Sequence, residues 1–323
     1  MTRLSRLFFV VFIAASFGPA TAHAQGFPEK PIRIIVPWAT GGSTDAIARV
    51  LAARVSQTIG QQVIVDNKPG AGGAIGAEQG ARAAADGYTL TIVELTHVGS
   101  QALLEKVPYD LNTDFVPLAH LGSAPIVLFA NAQLKANNLR ELIALSRVNN
   151  PIPFAIIGTG SVTHLIAESI QMTEKARFNF VPYKGGAPAL IDLAAGEVQV
   201  FFATLATGAG TLKTGRVKAI AVTSPQRIAA LPDIPTALEG GFKDLVVEQW
   251  WGLVAPAKTP APLVEKLKSE FAAALAYPST RERMAALAIE PATMTPDQLG
   301  AFMGREIRRW NKVAKDANIK IEQ

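Results

Sequence analysis

Short apolar runs with strand character alternate along this chain with longer segments of helical period. The β-rich runs are Ile32 to Val36, Val63 to Asp66, Tyr88 to Val93, Phe154 to Ile157, Phe178 to Pro182, Val198 to Phe202 and Val217 to Thr223. After the first run, Ile47, Val50, Leu51 and Val55 recur at helical spacing, and after the fourth Val162, Leu165, Ile166, Ser169 and Ile170 do the same. The alternation predicts an α/β fold in which mainly parallel strands are joined by crossover helices.

Two apolar stretches fit neither period. Phe115 to Ala130 is long and extended, interrupted by Pro117, Gly122 and Pro125, and Val246 to Pro256 has the same character. Both are expected to cross between two domains. On that reading residues 25–125 plus 246–323 form a discontinuous first domain and residues 126–245 the second. The tail reads as helical: Thr259-Pro260 and Thr295-Pro296-Asp297-Gln298 each place an N-cap before a first-turn proline, and the second has capping-box spacing. Leu299, Phe302, Met303, Ile307 and Trp310 then form one stripe, expected to pack against the first domain.

The N-terminus reads as an address. Arg3 and Arg6 precede the apolar run Leu7 to Phe17, and Ala22-His23-Ala24 supplies a cleavage pattern, so residues 1–24 are expected to be a secretory signal cut after Ala24. The run is about 11 residues, well short of the ~20 that span a bilayer, and no later segment qualifies. The mature chain is then roughly 300 residues long, more than one core usually serves, in keeping with two domains. The chain has no cysteine, which excludes disulfides, a lipidated N-terminal Cys, thiolate metal sites and thiol nucleophiles. Losing Arg3 and Arg6 lowers the formal net charge from +5 to +3, spread without a basic block, so nucleic acid is not an expected partner. A free periplasmic protein fits these features.

Candidate chemistry gathers at two turns. In Val36 to Arg49 a strand runs into Gly41-Gly42, and Ser43, Thr44 and Asp45 open a helix. Such a turn offers unpaired backbone N–H groups and hydroxyls at the positive end of a helix dipole, which suits a carboxylate. Ile157 to His164 repeats the design, with Gly158, Thr159, Gly160, Ser161 and His164. Two such turns, one per domain, can grip two ends of a dicarboxylate without an arginine. Trp38 and Thr40 flank the first turn, Thr96 and His97 follow Glu94 at the end of the third strand, and Lys184 offers a cation. Each also has a plain structural reading as a packing, capping or solvated residue.

Other chemistries find less support. Gly70 to Gly76 is glycine-rich, but Ile75 stands where a dinucleotide turn needs its third glycine, and Asn67-Lys68-Pro69 separates strand from turn. Ser161 and His164 form the rival reading, a hydrolase, but they lack a third orienting group nearby and a G-x-S-x-G elbow. His97, His120 and His164 are scattered without ligand spacing, so neither a metal nor another cofactor is expected.

Taken together, the motifs resemble the Bug (TctC-like) periplasmic solute-binding proteins of tripartite tricarboxylate transporters. The stretches are PIRIIVPWATGGSTDAIAR (31–49), NKPGAGGAIG (67–76), DGYTL (86–90), GSVTHL (160–165), VPYKG (181–185), LPDIPT (231–236) and GLVAPAKTP (252–260), in one order over the mature chain. The resemblance implies a two-domain periplasmic-binding fold of type II-like form, closing over a small organic anion, usually a carboxylate. It implies ligand contact from Trp38 to Thr44 and from Thr159 to His164, with Lys184 nearby. It further implies no catalysis, with delivery to membrane permease subunits or, in orphan members, sensing; a monomer is expected. Two departures stand out. Ala203 and Thr204 occupy lining positions where an Asp-Asn pair is common, and Glu94 is unusual after the DGYTL strand. The first departure disfavours an amino-acid ligand and leaves a plain carboxylate.

Overall fold

The computed structural model describes residues 26–103, 106–148 and 150–316. The expected signal segment and its cut after Ala24 lie outside the described residues. The first stretch alternates strand and helix: β1 Ile32–Val36, α1 Ser43–Thr58, β2 Val63–Asn67, α2 Ala74–Ala81, β3 Thr89–Glu94 and α3 Leu95–Leu103. A single long strand, β4 Phe115–Asn131, leads to α4 Leu139–Val148, β5 Ile152–Ile156, α5 Val162–Glu174, β6 Phe178–Pro182, α6 Gly186–Ala195, β7 Val200–Thr204, α7 Leu205–Lys213 and β8 Val217–Val222. The chain returns through β9 Glu248–Pro256 and ends in α8 Ala261–Ala276, α9 Pro278–Ala286 and α10 Pro296–Asp316. All seven short runs read from the sequence are strands, with ends moved by a residue or two.

The strands follow the path β2-β1-β3-β9-β4-β7-β5-β6, with β8 also on β4. Strands within each half pair in parallel: β1 with β2 and β3, and β5 with β6 and β7. The two long apolar stretches are the exception to the expected parallel order. β9 is antiparallel to β3 and β4, and β4 is antiparallel to β7 and β8, because the chain leaves one half and re-enters it from the opposite end. Residues 115–125 of β4 pair with β9, and residues 126–131 pair with β7 and β8. Pro117 and Gly122 do not end the strand. They sit at register shifts in its pairing with β9, where a bulge absorbs the missing donor and the left-handed glycine.

This pairing fixes a direction. β1 and β3 run the same way as β4, toward the second lobe, while β5, β6 and β7 run against it, toward the first. The carboxyl ends of both sets therefore face the joint between lobes. The helices that follow them start there.

Period becomes burial as expected. Ile47, Leu51 and Val55 of α1 and Val162, Leu165, Ile166 and Ile170 of α5 are buried, while Val50 and Ser169 are half-buried. The capping box of α10 is reciprocal: Gln298 N–H donates to Thr295 Oγ1 at 3.3 Å and Thr295 N–H to Gln298 Oε1 at 2.8 Å. Thr259 does not cap α8. Its hydroxyl donates back to Pro256 O at 2.7 Å. Leu299, Met303, Ile307 and Trp310 are buried against α3 and β4, and Phe302 meets Trp250 edge-on at 5.4 Å between centroids.

Phe129 sits in β4, fully buried, and a methyl placed on Gly208 of α7 would lie 2.3 Å from its ring. The helix thus lies directly on the ring. We expect Phe129→Ala to cost about 3–5 kcal/mol of unfolding free energy by urea titration; a loss below about 1 kcal/mol would contradict that packing.

Candidate functional site

Five helices begin at the joint, following β1, β3, β5, β6 and β7. Between them lies a cavity of about 60 Å³, room for a few water molecules or the polar end of a small acid. The start of α1 lines it with Gly42, Ser43 and Thr44, and that of α3 with Thr96. From the facing lobe come Val162 and Thr163 of α5, Gly186 of α6, and Thr204 and Thr207 at the start of α7. Trp38, Ile126, Ile157, Phe201, Phe202 and Ala203 supply apolar wall. Glu94 and Gln249 complete it.

Each helix start contributes ~0.3–1 kcal/mol toward an exposed anion and up to ~2 when partly buried. Five starts on one small space make a strongly anion-attracting site. Among the described residues lining it there is no lysine, arginine or histidine.

The first turn is braced from behind. Asp45 is 3 % exposed and accepts from Gly41 N–H at 3.1 Å, from Arg49 Nε at 3.0 Å and Nη2 at 2.9 Å, and from Asn67 Nδ2 at 3.0 Å. Burial alone raises this carboxyl; the bonds from Arg49, Gly41 and Asn67 outweigh it and hold the group below its ordinary range. Asn67 also donates to Trp38 O at 3.0 Å, fixing the strand end. Arg49, one helical turn from the glycines, shapes the turn without lining the cavity.

The second turn is capped from within. Ser161 is fully buried and its hydroxyl accepts from His164 N–H at 3.2 Å, while Gly160 N–H donates to His164 Nδ1 at 3.1 Å. The other ring nitrogen of His164 faces Glu168 at 3.5 Å, and the ring packs edge-on to Phe180. The imidazole accordingly makes no contact that activates the Ser161 hydroxyl. This geometry removes the nucleophile–base pair on which the hydrolase reading rests.

Of the residues singled out from the sequence, Trp38, Gly42, Ser43, Thr44, Thr96, Ala203 and Thr204 line the cavity. Thr159 and Lys184 instead border a wider groove outside it, together with Gly70 to Gly72 and Trp38, which stands between the two spaces. Gly41, Gly160, Ser161 and His164 shape the turns behind the lining. Thr40 is exposed, its hydroxyl 3.3 Å from Asn67 Oδ1. His97 is fully buried; its Nδ1 accepts from Glu94 N–H at 3.1 Å, its other nitrogen has no partner, and burial pushes it down to about 4, so it is neutral.

The lobes are in contact across the joint. Ser43 N–H donates to Thr207 Oγ1 at 3.2 Å and Ala39 N–H to Lys184 O at 3.2 Å. Gly158, at φ +98°, comes so near Gly72 that an added methyl would lie 2.5 Å from its Cα. Only glycine fits there.

Sequence reasoning noted Glu94 as unusual and did not place it in the site. It is 2 % exposed and accepts from Thr44 Oγ1 at 2.7 Å, and Thr44 Oγ1 in turn accepts from Trp251 Nε1 at 3.0 Å. Burial pushes the carboxyl up to about 7, opposed by Thr44 and by the Trp38, Trp251 and Gln249 side chains around it. Trp38 Nε1 is buried there without hydrogen-bond geometry to any acceptor.

Comparison with known proteins agrees with this outline. The profile of the tripartite tricarboxylate transporter family receptor, TctC, matches residues 47–319. The chain is 36% identical over 326 residues to the protein BugT of Bordetella pertussis, covering 100% of this chain and 99% of that one. It is similar to the solved periplasmic binding protein BugD at 35% identity and a TM-score of 0.87, covering 91% of this chain and 99% of the other. MatC from Rhodopseudomonas palustris, solved with bound malate, is 33% identical with a TM-score of 0.85, over 89% and 99% of the two chains.

Glu94 also predicts a pH dependence. Its folded value of about 7 lies above the ordinary 4.5, so the folded protein holds the proton more tightly and loses stability as pH rises between those values. His97 acts in the opposite sense, being depressed from 6.5 to about 4, and costs stability as pH falls through that window. Glu94→Gln isolates the first effect. The stability of the wild type relative to this variant is expected to fall by about 3 kcal/mol from about pH 4 to about pH 8, in urea melts at each pH. A constant difference would contradict a buried ionisable group there.

Proposed function

The chain belongs to the tripartite tricarboxylate transporter receptor family, and from that premise we propose that it captures a small organic anion in the cavity between its lobes and presents it to membrane permease subunits. The observation that carries this reading is the convergence of five helix starts and a set of hydroxyls on one space lined, among the described residues, by no basic side chain. An anion there gains dipole stabilisation and hydrogen bonds from both lobes at once. Its differential affinity for the closed arrangement then drives closure. The malate held by MatC is a small carboxylic acid, the broad class of guest this reading assigns.

On this reading residues 25–125 with 246–323 form one moving body and residues 126–245 the other, with β4 and β9 as the two crossings. The turns Trp38 to Thr44 and Val162-Thr163 act as opposing jaws. The chain works as a monomer in the periplasm, reached under a leader ending at Ala24, and returns its guest chemically unchanged.

Ala203 lies on the cavity wall with little exposure, and Ala203→Trp fills the space it faces. Malate and other four- to six-carbon carboxylates are to be screened by thermal denaturation. A binder at about 100 times its Kd stabilises the wild type by roughly 2.7 kcal/mol, and Ala203→Trp is expected to lose that response while melting cooperatively on its own. Equal stabilisation of both proteins would place the site elsewhere.

A further inference from the structure

Glu94 is the one charged side chain among the described residues lining the cavity. In a site otherwise built to attract anions, a buried carboxyl is an inconsistency that calls for a partner. Its setting is that of an acceptor. Trp251 Nε1 fills a lone pair of Thr44 Oγ1, which directs the Thr44 proton onto Glu94 Oε2. Trp38 Nε1 and the Gln249 amide lie beside the same group. A carboxylate taken from water to 2 % exposure with no basic side chain on the wall needs a positive charge or a proton from elsewhere. The ligand is what enters the space.

Resting on the capture site described above, we propose that Glu94 receives the protonated amine of the guest, which is a small amino-bearing carboxylic acid, a zwitterion, with its carboxylate on the helix starts. This reverses the expectation drawn from Ala203 and Thr204. The acid missing at the end of β7 is replaced by one at the end of β3, on the facing lobe. The guest then joins the lobes by two interactions of opposite sign, and a plain dicarboxylate meets like charge at Glu94.

Paired acids that differ by the amine test the assignment: L-aspartate with succinate, L-glutamate with glutarate, and L-leucine with 4-methylpentanoate, by calorimetry on wild type and Glu94→Gln. The wild type is expected to prefer an amino member over its partner by about tenfold or more, and Glu94→Gln to lose that preference while still folding, as judged by its ligand-free melt. Equal or tighter binding of the plain acids, strengthening as pH falls, overturns the proposal and marks Glu94 as a protonated donor instead. So does a panel in which no amino acid binds the wild type. Ala203→Trp separates the two readings. If plain acids bind and this variant abolishes it, the capture site stands without the role given to Glu94; if it leaves every response intact, the capture site itself fails.

Discussion

The antiparallel joint of β4 with β9 governs the rest of the molecule. Because β4 runs from one lobe into the other, strands paired parallel in each half point their carboxyl ends at each other across it. Every crossover helix after those strands must then begin at the same place. Five helix starts meet there as a consequence of strand direction alone, before any side chain is specified. The turns that precede them need glycine and small hydroxyl residues for a further reason: bulk would hold the lobes apart, as the approach of Gly72 to Gly158 makes plain.

A site made of dipoles differs physically from one made of lysines and arginines. Fixed backbone N–H groups lose little entropy when they meet an anion, and they impose no long flexible side chain between the lobes. Point charges here serve geometry instead. Arg49 and Asp45 engage each other and brace the first turn, and His164 braces the second. Among the described residues of the wall Glu94 alone brings formal charge, held by a relay that begins in β9 at Trp251 and passes through α1 at Thr44.

What the sequence made legible was local. Strand period, the glycine turns and the capping box of α10 are each written within a dozen residues, and they emerged as expected. The lining was harder. Trp38, Ser43, Thr44 and Thr163 were visible because the turns they belong to are continuous, whereas Thr207 and Gln249 enter the cavity through contacts between distant segments that no spacing records. Ser161 and His164 drew attention through hydroxyl and imidazole, and the first turn of α5 uses both as hydrogen-bond partners of its own backbone. At Lys184 the joint uses the backbone carbonyl, while the side chain is exposed.

The lobes are joined by packing as well as by hydrogen bonds: one buried apolar cluster takes in Ala74, Val93, Leu95 and Val98 from the first and Phe154, Val162 and Leu165 from the second. The two hydrogen bonds that cross at the turns, Ser43 to Thr207 and Ala39 to Lys184, contribute about 0.5–1.5 kcal/mol each at most. On the proposed reading, a guest that contacts both lobes shifts the protein toward closure by its differential affinity for that arrangement. Shape selection by such a clamp is weak, since apolar walls distinguish guests by a methylene at ~1–3 kcal/mol. Charge placement is the stronger discriminator in a space this small. On the proposed reading, the side chain that sets charge on the wall, Glu94, decides which guests the cleft admits.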